Sequence, residues 1–155
     1  MNENQDFTYR VGAICLHDDN VLLCRAEGDE HWFIPGGRVD FGEDSKQTLI
    51  REVEEELGVE VEPKRLLWTI ENFFELKGKS HQEIAFYYEV DLPDYLKELE
   101  MICGIELEDE TLKELQITFE WIPVYVLDTV NLKPSILITE LQNLPKYSKH
   151  LIHRD

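Results

Sequence analysis

The stretch that most constrains this chain is residues 37–59, GRVDFGEDSKQTLIREVEEELGV, because it dictates a loop, a helix and an acidic site in one run. Asp44 or Ser45 can cap the free amide donors of a first helical turn, and Gly58 can adopt the left-handed conformation just past Leu57. The predicted helix therefore runs from Asp44 or Ser45 to Leu57. At 3.6 residues per turn, Leu49, Ile50, Val53 and Leu57 share one stripe, while Glu52, Glu55 and Glu56 gather roughly 120° around from it. One face is core and the next is carboxylate. Three carboxylates this close repel by roughly 0.2–0.5 kcal/mol per pair, so they form either a solvated acidic face or a seat for a divalent cation. Oxygen-only ligands of high charge suit Mg²⁺ or Mn²⁺.

The residues around the helix carry a resemblance. Gly37, Glu43, Arg51, Glu52, Val53, Glu55, Glu56, Gly58 and Val59 stand at the spacing of the Nudix box, and Trp32-Phe33-Ile34-Pro35-Gly36-Gly37 is similar to the strand and turn by which that family enters it. The chain thus resembles the Nudix hydrolase superfamily, the MutT-like enzymes. The resemblance implies an α/β (α+β) fold with a mixed sheet flanked by helices. It also implies Mg²⁺- or Mn²⁺-dependent hydrolysis of a diphosphate bond in a small nucleoside diphosphate derivative by metal-activated water. Carried over position by position, it makes Glu52, Glu55 and Glu56 metal ligands, with the Gly36 carbonyl as a fourth, and Arg51 and Glu43 supporting members of the catalytic set. Glu55 or Glu56 is the most economical general base. Glu114 and Glu120 are the alternatives, since many family members place a further Glu in the loop before the strand that contains Trp, here Trp121. Asp40 stands where many relatives have Glu. The rival reading is a catalytically silent Nudix-like domain that binds a nucleotide as a sensor or uses its acidic surface for protein contacts. Such a domain is free to lose its carboxylates, and here Arg51, Glu52, Glu55 and Glu56 all stand. The family's secondary markers of substrate are not seen around Phe73-Phe74-Glu75-Leu76, which leaves the nucleotide undefined.

Charge narrows the partners. Thirty-three acidic residues against fifteen basic ones give −18, which works against tracking a polyanion through many Lys and Arg contacts to phosphate. DNA, long RNA and anionic membranes are not expected partners; a homodimer is left open. At 155 residues and 43% hydrophobic content, a single domain spanning 1–155 with its own core is expected. The N-terminus lacks an apolar signal core and no run approaches a membrane span, so a cytoplasmic location is expected. Cys15, Cys24 and Cys103 are odd in number and show no CxxC pair, which suggests neither a disulfide framework nor a zinc site.

Along the chain, residues 8–16 and 21–26 read as strands joined by a turn at His17-Asp18-Asp19-Asn20. Gly12 and Ala13 are small where strands carry bulk, so either a neighbour or a ligand comes close or the sheet simply twists there. Arg25 is a candidate phosphate contact or the partner of a local carboxylate, and Arg38, inside the box loop, has the better claim to substrate. His31 has nothing near it in sequence to make it a base. A short strand is expected at 59–61, a break at Pro63, and a hairpin of strands 65–76 and 81–90 across Lys77-Gly78-Lys79-Ser80. Its aromatics are mostly core, with one or two free to stack a nucleobase. Residues 93–115 read as an acidic insertion that opens with a short helix at Pro93-Asp94 and shapes access to the cleft. A strand over 121–127 and an amphipathic helix from Pro134-Ser135 to Leu144 close the fold, and the tail with His150 and His153 is expected to fray.

Overall fold

The computed structural model describes residues 1–98, 101–107 and 114–155, the side chains of 101–107, 114 and 115 excepted. The chain opens with β1 (Gln5–Ile14), β2 (Leu16–His17) and β3 (Asn20–Ala26), followed by β4 (Trp32–Phe33), β5 (Gly36–Arg38) and helix α1 (Ser45–Leu57). Next come β6 (Pro63–Leu76), β7 (Lys79–Val90), α2 (Asp94–Lys97), β8 (Met101–Leu107) and β9 (Glu114–Pro123). A 3₁₀ turn (Val124–Thr129), β10 (Leu132–Lys133), α3 (Ile136–Glu140) and β11 (Lys149–Arg154) complete it. One sheet has the order β11-β6-β7-β1-β5 and the other β10-β4-β3-β9-β8, with β2 against β3. Both mix parallel and antiparallel pairs: β1–β7, β11–β6 and β10–β4 are parallel.

Two tight hairpins use the turn that strand twist favours. Asp18 and Asp19 (φ 48° and 62°) link β2 to β3, and Lys77 and Gly78 (φ 51° and 75°) link β6 to β7, each a two-residue loop with both residues left-handed. Alternation along the strands then splits the core in two. Val11 and Ala13 join Leu22, Phe119, Leu49 and Val53 under α1. Ile14 joins Leu23, Trp68, Ile70, Leu127 and Leu137 on the opposite side. Each cluster draws on both sheets, so α1 covers one side and the 3₁₀ turn with α3 covers the other.

The α1 boundaries match those read from sequence: Asp44 caps, Leu57 ends, and Gly58 sits at φ 71°. Elsewhere the elements differ from expectation. Residues 59–61 form no strand; past the Gly58 reversal, Val59 and Val61 drop into the core under α1. Pro63 begins β6 rather than interrupting it. The acidic segment is more than an insertion, because β8 lies within it and pairs with β9 from Met101↔Glu120 to Leu107↔Glu114. Trp121 Nε1 donates to the Leu96 carbonyl at 3.0 Å, tying α2 to the same sheet. Residues 108–113, with three of the segment's carboxylates, lie outside the described residues, as does the Glu114 side chain. Removing 97–112 would strip β8 from β9 and so threaten the fold.

β9 starts earlier than the strand expected over 121–127 and stops at Pro123, where Val124 N–H turns away to the Asp19 carbonyl at 2.9 Å. The closing helix is only Ile136–Glu140, since the next amides, Gln142 and Asn143, make 3₁₀-type bonds to Thr139 and Glu140. The tail does not fray. β11 pairs with β6 from Lys149↔Trp68 to Arg154↔Phe73 and covers an edge that would otherwise be open. No helix among the described residues is long and apolar enough to cross a membrane.

Candidate active site

The start of α1 is fixed by a cap one turn and more ahead of the glutamates that line the cleft. Asp44 accepts from Gln47 N–H at 2.8 Å and its own N–H donates to Gln47 Oε1 at 2.9 Å, a reciprocal cap. Ser45 Oγ and Tyr88 OH share a buried 2.8 Å bond, and fully buried Thr48 donates to Glu43 Oε1 at 3.2 Å. One turn further on, Arg51 gathers the acids. Its Nε donates to Glu43 Oε2 at 3.1 Å, its Nη2 to Glu43 Oε1 at 2.9 Å and Asp40 Oδ2 at 3.1 Å, and its Nη1 to Glu52 Oε1 at 3.1 Å and Glu55 Oε1 at 3.4 Å. The planar guanidinium allows this fork where an ammonium would not. Arg51, donating to Glu43, holds that carboxyl below the usual range, and Glu43 in turn raises the arginine.

Two glycines make room for the acids. A Cβ on Gly37 would overlap the Glu52 carboxyl carbon, with Oε2 at 2.8 Å, and one on Gly36 would overlap the Val11 carbonyl of the paired strand β1. Hence β5 can lie flat on β1 while Glu52, only 14% exposed, tucks over it. Glu55 stands 59% exposed. Glu52, Glu55, Glu56 and Arg51 open onto a cleft of about 730 Å³ that Gly36, Arg38, Arg10 and, from β3, Cys24 and Ala26 also line.

Strand alternation removes two sequence candidates. Arg25 lies between Cys24 and Ala26, so it points to the other side, where its guanidinium stacks 4.4 Å over Trp32. Glu120 pairs with Leu23 within β9, not in a loop, and is not among the cleft-lining residues; Ile117 is. Arg38 lines the cleft and donates to Asp6 at 3.3 Å. His31, without a partner in the sequence reading, lies with Nδ1 3.2 Å from Asp29.

Arg10 was not singled out in sequence, because a lone Arg in a strand carries no motif. Burial lowers its pKa, but facing negative groups, Glu83 foremost, more than offset this and raise it. It separates the acidic cleft from a second space of about 230 Å³ that holds Asn72 and Glu83. There Asn72, 5% exposed, has a buried Oδ1 with no hydrogen-bond donor, a state that costs about 1–3 kcal/mol. Gly12 serves this region: a Cβ there would lie 2.7 Å from the Tyr87 ring and 3.0 Å from Ile34.

Among the described residues no three His, Cys, Asp or Glu side chains gather closely enough to hold a metal ion. The donor chemistry nonetheless fits a hard divalent cation, for the cleft offers carboxylate oxygens from one helical face and the space left by Gly37. The match is one of donor kind and placement.

The model of the NUDIX domain matches residues 6–136. Over 109 residues the chain is 27% identical to an 8-oxo-dGTP diphosphatase of Proteus vulgaris, covering 68% of this chain and 95% of that one. It is 32% identical over 123 residues to a low-salt glycan biosynthesis protein of Haloferax volcanii, covering 75% of each. The crystal structure of a NUDIX hydrolase from Nitrosomonas europaea superposes with a TM-score of 0.59 at 18% identity, over 96% of this chain and 79% of that one. The chain belongs to the Nudix family and is a Nudix pyrophosphohydrolase, in a family of pyrophosphatases that act on nucleoside diphosphate derivatives and generally use divalent metal ions.

Proposed function

We propose that this enzyme hydrolyses the diphosphate bond of a small nucleoside diphosphate derivative in a Mg²⁺- or Mn²⁺-dependent reaction. The observation that carries the proposal is that Glu52, Glu55, Glu56 and Arg51 line one cleft together with Arg10 and Arg38. Glu52, Glu55, Glu56 and the Gly36 carbonyl would hold the cation. Bound there, it supplies positive charge against the phosphoryl oxygens and makes a nearby water more acidic. Glu55 or Glu56 accepts the proton of the attacking water, both being on the same helical face as the cation's ligands. Arg51 holds Glu52 and Glu55 side by side, and Glu43 in turn holds Arg51. Arg38 and Arg10 bring the only cationic side chains besides Arg51 among the described residues lining the cleft, and they meet the phosphates.

The test is turnover of nucleotide sugars, dinucleotides, nucleoside triphosphates and oxidised nucleotides with Mg²⁺ or Mn²⁺, read as release of a nucleoside monophosphate. Hydrolysis of one class is expected, and it should stop when the cation is chelated. No turnover of any diphosphate with either cation would overturn the proposal. So would tight, sequence-independent RNA binding that weakened steeply with salt, since that would point to a long polyanion as the substrate.

A further inference from the structure

Two arginines of the acidic cleft stand abreast. Arg10 of β1 lies directly opposite Arg38 of β5 in an antiparallel pair, so both side chains leave the same face of the sheet. Like charges directly opposite destabilise a strand pair, and something on that face should offset them. Two acids do. Asp6 and Thr8 precede Arg10 on the same face of β1, and Glu83 lies opposite Thr8 on β7. Arg38 Nη2 donates to Asp6 Oδ2 at 3.3 Å. Glu83, 9% exposed, is fixed by the Thr8 hydroxyl, which donates to its Oε2 at 3.1 Å, and it shares a cavity wall with Arg10. Burial works against the Arg10 charge, and facing negative groups, Glu83 foremost, more than offset it.

The acids are placed to hold the arginines rather than to meet a ligand. Arg10 and Arg38 both line the acidic cleft, whereas Asp6 and Glu83 are not among the described residues that do. An anion in the cleft therefore faces the guanidiniums and not these carboxylates. Asp6 is itself braced from the far side, since β7 flanks β1 on the edge away from β5. There His81, stacked on Phe74 with ring centroids 4.8 Å apart and planes 3° from parallel, sets Nδ1 3.4 Å from the same Asp6 oxygen. The Arg38 side chain is 63% exposed and that of Asp6 23%. A long side chain so exposed otherwise surrenders its rotamer freedom when it binds, and a fixed acid partner removes part of that cost beforehand.

We propose that Asp6 and Glu83 are positioning residues: Asp6 aims Arg38 and Glu83 holds Arg10, so that the guanidiniums stand ready as a pair for the phosphoryl groups of the diphosphate. The proposal rests on the pyrophosphohydrolase reading of the same cleft and adds to it the residues that set substrate affinity from outside it. The sign of the effect separates positioning from charge. If the acids only added negative potential, removing one would tighten the binding of an anion. If they position the arginines, removing one loosens it.

Calorimetric binding of methylenediphosphonate, whose bridge cannot be cleaved, to the full chain with Mg²⁺ is the test. Asp6→Asn should weaken it about two- to fivefold, the range of a partly exposed ion pair, and Glu83→Gln about fivefold or more, because that acid is buried. With the substrate that the turnover screen finds, KM should rise by a similar factor while kcat stays within about twofold. The Asp6→Asn loss should disappear in an Arg38→Met background, and the Glu83→Gln loss in an Arg10→Met background, since each acid then has nothing to hold. Asp6→Glu, which keeps the charge, should recover most of the affinity. Because Glu83 is buried, its variant carries a folding risk; Asp6, near the start of β1, keeps the test open. An Asp6→Asn variant that bound the probe as tightly as the wild type, or more tightly, would overturn the proposal, as would a loss of the same size in the Arg38→Met background. Coupling of acid to arginine without turnover of any diphosphate would sink the hydrolase reading only, and turnover without that coupling would sink this inference only.

Discussion

The acidic cleft and the pocket behind Arg10 share a wall but are built on opposite plans. The acidic end comes from one run, residues 36–56, and one guanidinium balances carboxylates that remain partly in water. The inner pocket comes from β1, β4, β6, β7 and β10, and its polar side chains run from buried Asn72 and Glu83 to exposed Asp155. Partly solvated charges are screened and can regroup around a ligand at small cost. The difference teaches that reaction and recognition should respond to different substitutions.

The largest effect belongs to the acidic end. In the double variant Glu55→Gln, Glu56→Gln, kcat should fall by about 10²–10⁴, the range for loss of a general base, with the fold retained. Removing close like charges should hold or raise the metal-free melting temperature, and the stabilisation that Mg²⁺ gives the wild type through linkage should largely vanish. Calorimetry with and without Mg²⁺ beside steady-state kinetics checks both parts. If full activity and the Mg²⁺ response both survived, the acidic face would be only a solvated one and the contrast between the two ends would fail.

Gly37→Ala comes next. Its methyl would collide with the Glu52 carboxyl, so that side chain must move. Activity should drop about 10–100-fold, as for lost support of a ligand, and stability by about 1–3 kcal/mol from overpacking. The coupling of Glu83 to Arg10 should not change. A changed coupling, read by the same double variants, would mean that the two ends are linked through β5.

A smaller effect is one of pH. Arg51 hydrogen bonding puts the folded-state pKa of Glu43 below its ordinary value. A depressed carboxylate stabilises the fold above its unfolded pKa of about 4.3, and that contribution is lost as pH falls through the folded value. Thermal melts across that acid range should therefore show a shallower decline for Glu43→Gln than for the wild type. An unchanged slope would mean that the Arg51 fork leaves Glu43 energetically unperturbed.

How legible each end was in the sequence follows from how it is built. Asp44, Leu57 and Gly58 were readable because capping and helical period act within a few residues. Glu52, Glu55 and Glu56 were readable as a set for the same reason, Gly36 through the family resemblance and Arg38 through its place in the box loop, and all line one cleft. Asn72, Glu83 and Arg10 meet only through the register of β6, β7 and β1, and no local signal encodes register. The same holds for β8 and β11. An acidic run and a tail with Lys and His look solvated until a partner strand takes up their backbone hydrogen bonds. Arg25 failed by one residue of alternation: next to two cleft-lining positions in sequence, it faces the opposite way.

That alternation yields the smallest predicted effect and the sharpest control. Arg25→Met keeps an unbranched apolar stem to lie on Trp32 but removes the charge. Since Arg25 does not line the acidic cleft, kcat and KM should each stay within about twofold of the wild type. What is lost is the guanidinium–indole contact, worth about 0.5–1 kcal/mol at a partly exposed site, which urea unfolding followed by tryptophan fluorescence can resolve. A rise in KM of tenfold with no change in stability would return Arg25 to the substrate. It would then require Arg25 to leave Trp32 and reach the opposite face of β3, which lies between β4 and β9, and strand alternation would no longer decide which side chains meet the substrate.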